Sequence, residues 1–212
     1  MLLLIDVDAL CKLAHWRLLA ELPALTGVSW HDCATLSSAK HRARRAVDKP
    51  DGKTFRDVAA AQEAVAAIGH MQSTLDVNPQ ALGPFEDAPG IDPGEAVLLS
   101  ALAAHSNARL LTGDKRALRA LAALDASITQ AYANRIVIVE HVILAALDER
   151  GLTWLRERVC PWKDIDKAVG VIMGSRCDLQ EAAVREGIAS YIDEMAELCD
   201  PSILANGLRN AT

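Results

Sequence analysis

The sequence predicts an α/β fold: a three-layer domain with a mostly parallel central sheet flanked by helices, followed by a helical C-terminal appendage. The chain opens with the short run Met1–Ile5, which is apolar on both faces, as a central parallel strand is. Residues 8–21 then carry apolar side chains at helical spacing. From Glu95 onward, helix and strand patterns alternate, which is typical of a parallel sheet. Beyond Gly151 only helical patterns follow.

Two further helices are expected between the first strand and the middle of the chain. Ser29 is a suitable N-cap for a helix that runs to about Val47. Thr54 could cap a second helix that runs to about Met71. Together these two helices would form a helical, partly basic insertion at about residues 29–72.

The second half of the α/β domain is expected to follow a loop at residues 78–93, which is rich in proline and glycine. The patterns predict helices at 95–105 and 114–124 and strands at 108–111 and 136–139. Only three strands are clear, so a fourth is expected near residues 75–77. Residues 1–150 would then form the α/β domain, and residues 151–212 a helical extension that packs on it. This extension could support the sheet, or it could form a surface for a homodimer or a partner protein.

The composition excludes several classes of protein. The formal net charge is −6, so any nucleic-acid contact must come from a local basic patch, and an aromatic content of 4% argues against base-stacking platforms. Asp6 interrupts the N-terminal apolar run, and no basic segment precedes it, so we expect a cytoplasmic protein. The cysteines form no CxxC pair, which favours reduced, buried thiols over a zinc site. They are Cys11, Cys33, Cys160, Cys177 and Cys199.

Acidic residues stand where predicted strands end or helices begin. Asp6 closes the first strand, Glu95 opens a helix after a Pro-Gly turn, and Asp114 follows the strand at 108–111. Because the carboxyl ends of parallel strands line one crevice, we expect these three carboxylates to meet there. They would repel one another unless a cation compensated them, and oxygen ligands favour Mg²⁺ or Mn²⁺. The three residues are therefore predicted metal ligands and catalytic residues.

Two more acidic residues are candidates for the same site. Asp8 lies two residues after Asp6, and Glu140 directly follows the predicted strand at 136–139. Every acidic residue in this set also has a structural interpretation, because Asp and Glu are common at N-caps and in the first turn of a helix. The sequence alone leaves both interpretations open.

Basic residues supply a second group of candidates. Lys115 and Arg116 directly follow Asp114 and could steer a phosphate into the site. Arg42, Arg44 and Arg45 cluster in one predicted helix. That helix is either a surface that follows nucleic-acid phosphates or a solvated helix face.

Three of these segments resemble the motifs of the PIN domain family. Leu3–Leu10 is similar to the family's first strand with its Asp, Asp92–Ala96 to its second acidic element and Leu110–Leu118 to its third. The resemblance covers roughly residues 1–150, and Glu140 is the best occupant of the family's fourth acidic position. It implies an Mg²⁺- or Mn²⁺-dependent ribonuclease that cuts single-stranded RNA internally. A toxin of a toxin–antitoxin pair, with an antitoxin protein as partner, is a further expectation from the resemblance.

Two alternatives stay open at the level of the sequence. One is a catalytically silent PIN-like module that binds RNA or a protein. The other is a haloacid-dehalogenase-like phosphatase, because Asp6-Val-Asp8 and Gly113-Asp114 resemble two motifs of that family. Lys115 stands in the region where that family has a second late acidic residue, which argues against the phosphatase.

Overall fold

The computed structural model describes residues 1–71, 82–85 and 88–208, and in this part of the chain four parallel strands form one sheet. The strand order is β2–β1–β3–β4. At the carboxyl end of β1, Ile5 pairs with Thr35 on one side and Leu111 on the other. The predicted α/β class with a parallel sheet is confirmed. The strands are β1 (Leu2–Ile5), β2 (Cys33–Thr35), β3 (Ala108–Thr112) and β4 (Ile136–Ile138).

Helices cover both faces of this sheet, which gives three layers. Successive side chains of a strand point to opposite faces, so Leu3 and Ile5 join one hydrophobic core and Leu4 joins the other. The helices are α1 (Val7–His15), α2 (Leu22–Thr26), α3 (Ser37–Asp48), α4 (Val58–His70), α5 (Pro93–Ala104), α6 (Lys115–Ala122), α7 (Ala126–Thr129), α8 (Val139–Val159), α9 (Lys167–Met173) and α10 (Glu181–Leu198). Short 3-10 turns lie at Trp30–Asp32, Gln130–Tyr132 and Cys160–Ile165.

The prediction of one helix from residue 30 to about Val47 is wrong in its first part. Cys33–Thr35 is instead the edge strand β2, and α3 begins only at Ser37. The Thr35 hydroxyl donates a hydrogen bond to the carbonyl of Ile5 at 2.7 Å, which attaches β2 to β1. A strand of three residues is too short to show a period of two in the sequence, and only its pairing with β1 defines it. The predicted helical insertion therefore contributes a strand to the sheet.

The second helix of this region begins later than predicted. Asp57 caps α4, because its carboxylate accepts a hydrogen bond from the backbone of Ala60 at 3.2 Å. Thr54 lies in the preceding turn, where its N–H donates to the carboxylate of Asp51 at 2.7 Å. The strand expected near residues 75–77 falls outside the described residues.

The predicted domain boundary at residue 151 lies inside α8. Gly151 has a φ of +78°, a conformation that favours glycine, and it interrupts the helix at this point. The chain after it contacts both cores, and its end returns to the sheet, where the N–H of Ala205 donates to the carbonyl of Ile136 at 2.8 Å. No helix in the described ranges is both long and apolar enough to cross a membrane.

The expectation of reduced thiols is wrong for two of the five cysteines. Cys160 and Cys177 form a disulfide, with Cα atoms 6.3 Å apart. The thiols of Cys11, Cys33 and Cys199 are free and buried, as expected. A turn in the extension brings Cys160 and Cys177 together, and their spacing in the sequence gives no sign of it.

Candidate functional site

A cavity of about 540 Å³ lies at the carboxyl ends of β1 and β3. The carboxylates of Asp6, Asp8, Glu95 and Asp114 line it, although residues 6 and 114 are far apart in the chain. The three predicted ligands thus share one cavity, which Asp6 and Asp114 reach from the ends of β1 and β3 and Glu95 from the start of α5. Their role as ligands stays a prediction.

Asp6 caps a helix and faces the cavity at the same time. One of its carboxylate oxygens accepts a hydrogen bond from the N–H of Val7 at 2.6 Å, which caps α1. The other accepts a hydrogen bond from the hydroxyl of Thr112 at 3.1 Å. Burial, helped by the negative charge of Asp8, raises the pKa of Asp6 to about 6. The cap and the site are therefore compatible functions of one side chain.

Glu95 is held by a capping box at the start of α5. Its carboxylate accepts a hydrogen bond from the N–H of Asp92 at 2.6 Å, and the Asp92 carboxylate accepts one from the N–H of Glu95 at 2.9 Å. Burial, together with the hydrogen bond and charge of neighbouring Asp114, raises the pKa of Glu95 to about 7. Glu95 therefore holds its proton more tightly than a free glutamate does.

Asp114 is the N-cap of α6 and the partner of Glu95. Its carboxylate accepts hydrogen bonds from the N–H groups of Arg116 at 2.8 Å and Ala117 at 3.1 Å. Burial alone would raise the pKa of Asp114, but these backbone donors and the hydrogen bond from Glu95 outweigh it and lower the pKa. The guanidinium of Arg116 lies 3.5 Å from a carboxylate oxygen of Glu95 and also 3.5 Å from one of Asp114.

Lys12 is a site residue that the sequence analysis missed. Its ammonium lies 2.6 Å from a carboxylate oxygen of Asp8 and 2.8 Å from one of Asp166, and its side chain is only 9% exposed. The signal that could have revealed it is its position four residues after Asp8, which places the two side chains next to each other on α1. No sequence pattern indicated that Asp166 belongs here, because it lies in the C-terminal extension, far from Lys12 in the chain.

The structure does not place Glu140 in the wall of the cavity. Glu140 is only 2% exposed, and its Oε1 has no hydrogen-bond partner among the residues that the structure describes. Burial raises the pKa of this carboxyl to about 7, and the charge of Asp166 acts in the same direction. Its membership of the site stays a prediction.

The predicted nucleic-acid-binding residues divide between several surfaces. Arg42 lines the acidic cavity together with Lys53 and Arg56, which follow the arginine cluster in the chain. Arg45 lines a neighbouring cavity that it shares with Arg42. Arg44 is exposed and lines neither of these two cavities.

Lys115 and Arg116 lie on the other flank of the acidic residues. They line a second cavity of about 310 Å³, together with Lys167. Asp8, Lys12 and Asp114 belong to the walls of both this cavity and the first one. Basic side chains therefore lie on two sides of the acidic residues Asp8 and Asp114.

The oxygen donors of this cavity suit a hard divalent cation, but they are engaged in other contacts. In residues 1–71, 82–85 and 88–208, no three His, Cys, Asp or Glu side chains are arranged to hold a metal ion as they stand. Arg116 and Lys12 contact the carboxylates instead. The pKa values of Asp6 and Glu95 are raised mainly because these carboxyls are buried.

Comparison of the chain with protein-family models, with curated proteins and with solved structures gives no match.

Proposed function

We propose that this protein is a PIN-like, metal-dependent endoribonuclease that hydrolyses phosphodiester bonds of single-stranded RNA. The observation that carries the proposal is the single cavity that Asp6, Glu95 and Asp114 line at the carboxyl edge of a parallel sheet, with Arg42 and Arg56 in the same wall. Carboxylates and guanidinium groups around one cavity suit a cation and a phosphate respectively. The motif resemblance of these segments supports the same class of enzyme.

In this proposal, Asp6, Glu95 and Asp114 would hold Mg²⁺ or Mn²⁺. The cation would neutralise the charge that develops on the phosphate and would make water a better nucleophile. The hydrogen bond from Thr112 fixes the direction of the Asp6 carboxylate, and the capping box fixes that of Glu95. Both carboxylates are therefore oriented before any cation binds, which lowers the cost of forming the site.

The basic residues on both flanks favour a polymer as substrate. Arg42, Lys53 and Arg56 line one cavity, and Lys115 and Lys167 line the other. Asp8 and Asp114 line both cavities. A polynucleotide could place phosphates on both sides of the bond that is cut, whereas a small phosphate ester would use one side only. This arrangement supports internal cleavage.

A test with two substrates and a measurement of RNA binding separates this function from its alternatives. The wild-type protein is first freed of metal with a chelator. Cleavage of internally labelled RNA, hydrolysis of a small aryl phosphate and binding of RNA are then measured, each with and without Mg²⁺. We expect Mg²⁺-dependent fragments from the RNA and no turnover of the aryl phosphate. Turnover of the aryl phosphate alone would instead indicate the phosphatase.

A catalytically silent PIN-like module is the second candidate function. The contacts of Arg116 with both Glu95 and Asp114 favour it, because a guanidinium already occupies the space beside two of the proposed ligands. RNA binding without cleavage at any Mg²⁺ or Mn²⁺ concentration would support this module and would contradict the nuclease. A toxin role, an antitoxin partner and a homodimer stay predictions.

A further inference from the structure

The ammonium of Lys12 lies at the centre of a group of oxygen atoms. Carboxylate oxygens of Asp8 and Asp166 lie 2.6 and 2.8 Å from its Nζ, and the carbonyl oxygen of Gly113 lies at 3.5 Å. An ammonium has three N–H donors, and these three oxygens can accept them. Two carboxylates and a backbone carbonyl around one point are also ligands that a hard divalent cation uses in proteins.

The residues around the Lys12 ammonium leave room for it and fix one of its carboxylate partners. A Cβ atom added at Gly113 would lie 2.6 Å from a carboxylate oxygen of Asp8 and 2.8 Å from the Lys12 Nζ, so only glycine leaves room for the ion pair. Asp166 is fixed from behind, because its other oxygen accepts hydrogen bonds from Ala168 at 2.8 Å and Val169 at 3.2 Å. The residue after β3 and the N-cap of α9 thus supply two of the three oxygens around Nζ, and Asp8 on α1 supplies the third.

Lys12 stays charged in this position although it is buried. Burial alone would lower the pKa of its ammonium, but the charges of Asp8 and Asp166 outweigh burial and raise it. In Asp166, burial is likewise outweighed by the charge and hydrogen bond of Lys12, which lower the pKa of the carboxyl. Both shifts have the direction expected from the short contact between the Lys12 ammonium and the Asp166 carboxylate.

We propose that the Lys12 ammonium takes the place of a divalent cation between Asp8 and Asp166. The chain itself supplies this cation, so an external metal ion is needed only on the side of Asp6, Glu95 and Asp114. The place of the external metal ion rests on the proposed function, but the role of the Lys12 ammonium does not. Removing the ammonium should open a cation site, because Asp8 is half exposed at 45% and can move toward a metal ion.

The test counts bound Mn²⁺ in the metal-free full-length chain by isothermal titration calorimetry, with electron paramagnetic resonance as a second count. Lys12→Met removes the ammonium but keeps most of the apolar stem of the side chain. Arg17→Met is the matched control, because Arg17 also contacts two carboxylates, Asp57 and Glu63, but lies outside the cavity. We expect Lys12→Met to bind one more Mn²⁺ than the wild-type protein, and Arg17→Met to bind the same number as the wild type.

A double variant locates the additional ion. Lys12→Met combined with Asp166→Asn should lose it, because one of the two carboxylates is then neutral. An additional ion that persists in the double variant would place the new site elsewhere and overturn the proposal. An unchanged count in Lys12→Met would also overturn it.

Thermal unfolding gives a readout if Lys12→Met folds poorly. Saturating Mn²⁺ should raise the Tm of Lys12→Met more than that of the wild-type protein, since the ion replaces the lost charge. A variant that stays unfolded at saturating Mn²⁺ would contradict the proposal, because the cation then fails to replace the ammonium. A wild-type protein that binds no Mn²⁺, with one ion in Lys12→Met, would support this inference and contradict the proposed nuclease.

Discussion

The two sides of the acidic centre neutralise their carboxylates in different ways. On the lysine side, defined by Lys12, Asp8 and Asp166, a buried ammonium lies within 2.8 Å of both carboxylates. On the open side, defined by Asp6, Glu95 and Asp114, the only cation in contact among the described residues is Arg116, whose side chain is 63% exposed and 3.5 Å away.

This difference appears in the pKa values of the carboxyl groups. The pKa of Asp166 is lowered on the lysine side. On the open side, burial raises those of Asp6 and Glu95 to about 6 and about 7, while backbone donors and the hydrogen bond with Glu95 lower that of Asp114. The lysine side thus pairs both of its carboxylates with one buried ammonium, whereas no cation contacts the Asp6 carboxylate among the described residues. This difference in neighbouring charge, rather than the number of acidic residues, is the reason for proposing an external cation on the open side.

The largest expected effect is the loss of stability in Lys12→Met. Removing one partner of a buried ion pair leaves an uncompensated charge, which costs about 3–5 kcal/mol in the free energy of unfolding. Arg17→Met should cost only about 1 kcal/mol, because the Arg17 side chain is 35% exposed and its ion pairs are screened by water. Urea unfolding of the three metal-free proteins measures both values, and equal losses would remove the distinction between buried and exposed pairs.

A smaller effect of opposite sign is expected for Glu95→Gln on the open side. The pKa of Glu95 is raised from 4.5 to about 7 on folding, so the folded state binds this proton more tightly than the unfolded state. Its ionisation therefore lowers stability progressively as the pH rises from 4.5 to 7, and the full loss is present above pH 7. Gln carries no charge and can still accept the capping hydrogen bond from Asp92.

We expect metal-free Glu95→Gln to exceed the wild-type stability by about 1–3 kcal/mol at about pH 8 and to match it near pH 4. Urea unfolding at the two pH values measures this difference. Glu194→Gln, on the exposed face of α10, is the control and should show no such pH dependence. A destabilised Glu95→Gln at the higher pH would mean that the open side is already well compensated.

The smallest expected effect separates two arginines of α3. Both side chains are exposed, but Arg42 lines the acidic cavity and Arg44 does not. Arg42→Gln should lower the slope of log affinity against log salt for single-stranded RNA by about 0.7, the value for one lost phosphate contact. Arg44→Gln, an identical change on the same helix, should leave the slope unchanged. Equal slopes for both variants would indicate that this face of α3 is only solvated and does not contact phosphates.

The sequence was sufficient for the features that depend on local signals. Asp6, Glu95 and Asp114 could be located because each directly follows a strand or begins a helix, and the parallel sheet then brings such positions to one edge. The pairing of Lys12 with Asp166 could not be predicted, because it joins α1 to the start of α9 and exists only after the chain has folded. The strand at Cys33–Thr35 was missed for a similar reason, since its hydrogen bonds to β1 define it.

The most direct test of the central claim, that the open side supports metal-dependent RNA cleavage, compares Asp114→Asn with Asp57→Asn. Both residues are N-caps that contact an arginine, and Asn preserves the cap, but only Asp114 lines the cavity. With labelled single-stranded RNA and Mg²⁺ or Mn²⁺, we expect Asp114→Asn to lose cleavage while Asp57→Asn cleaves like the wild-type protein. Undiminished, metal-dependent cleavage by Asp114→Asn would contradict the claim.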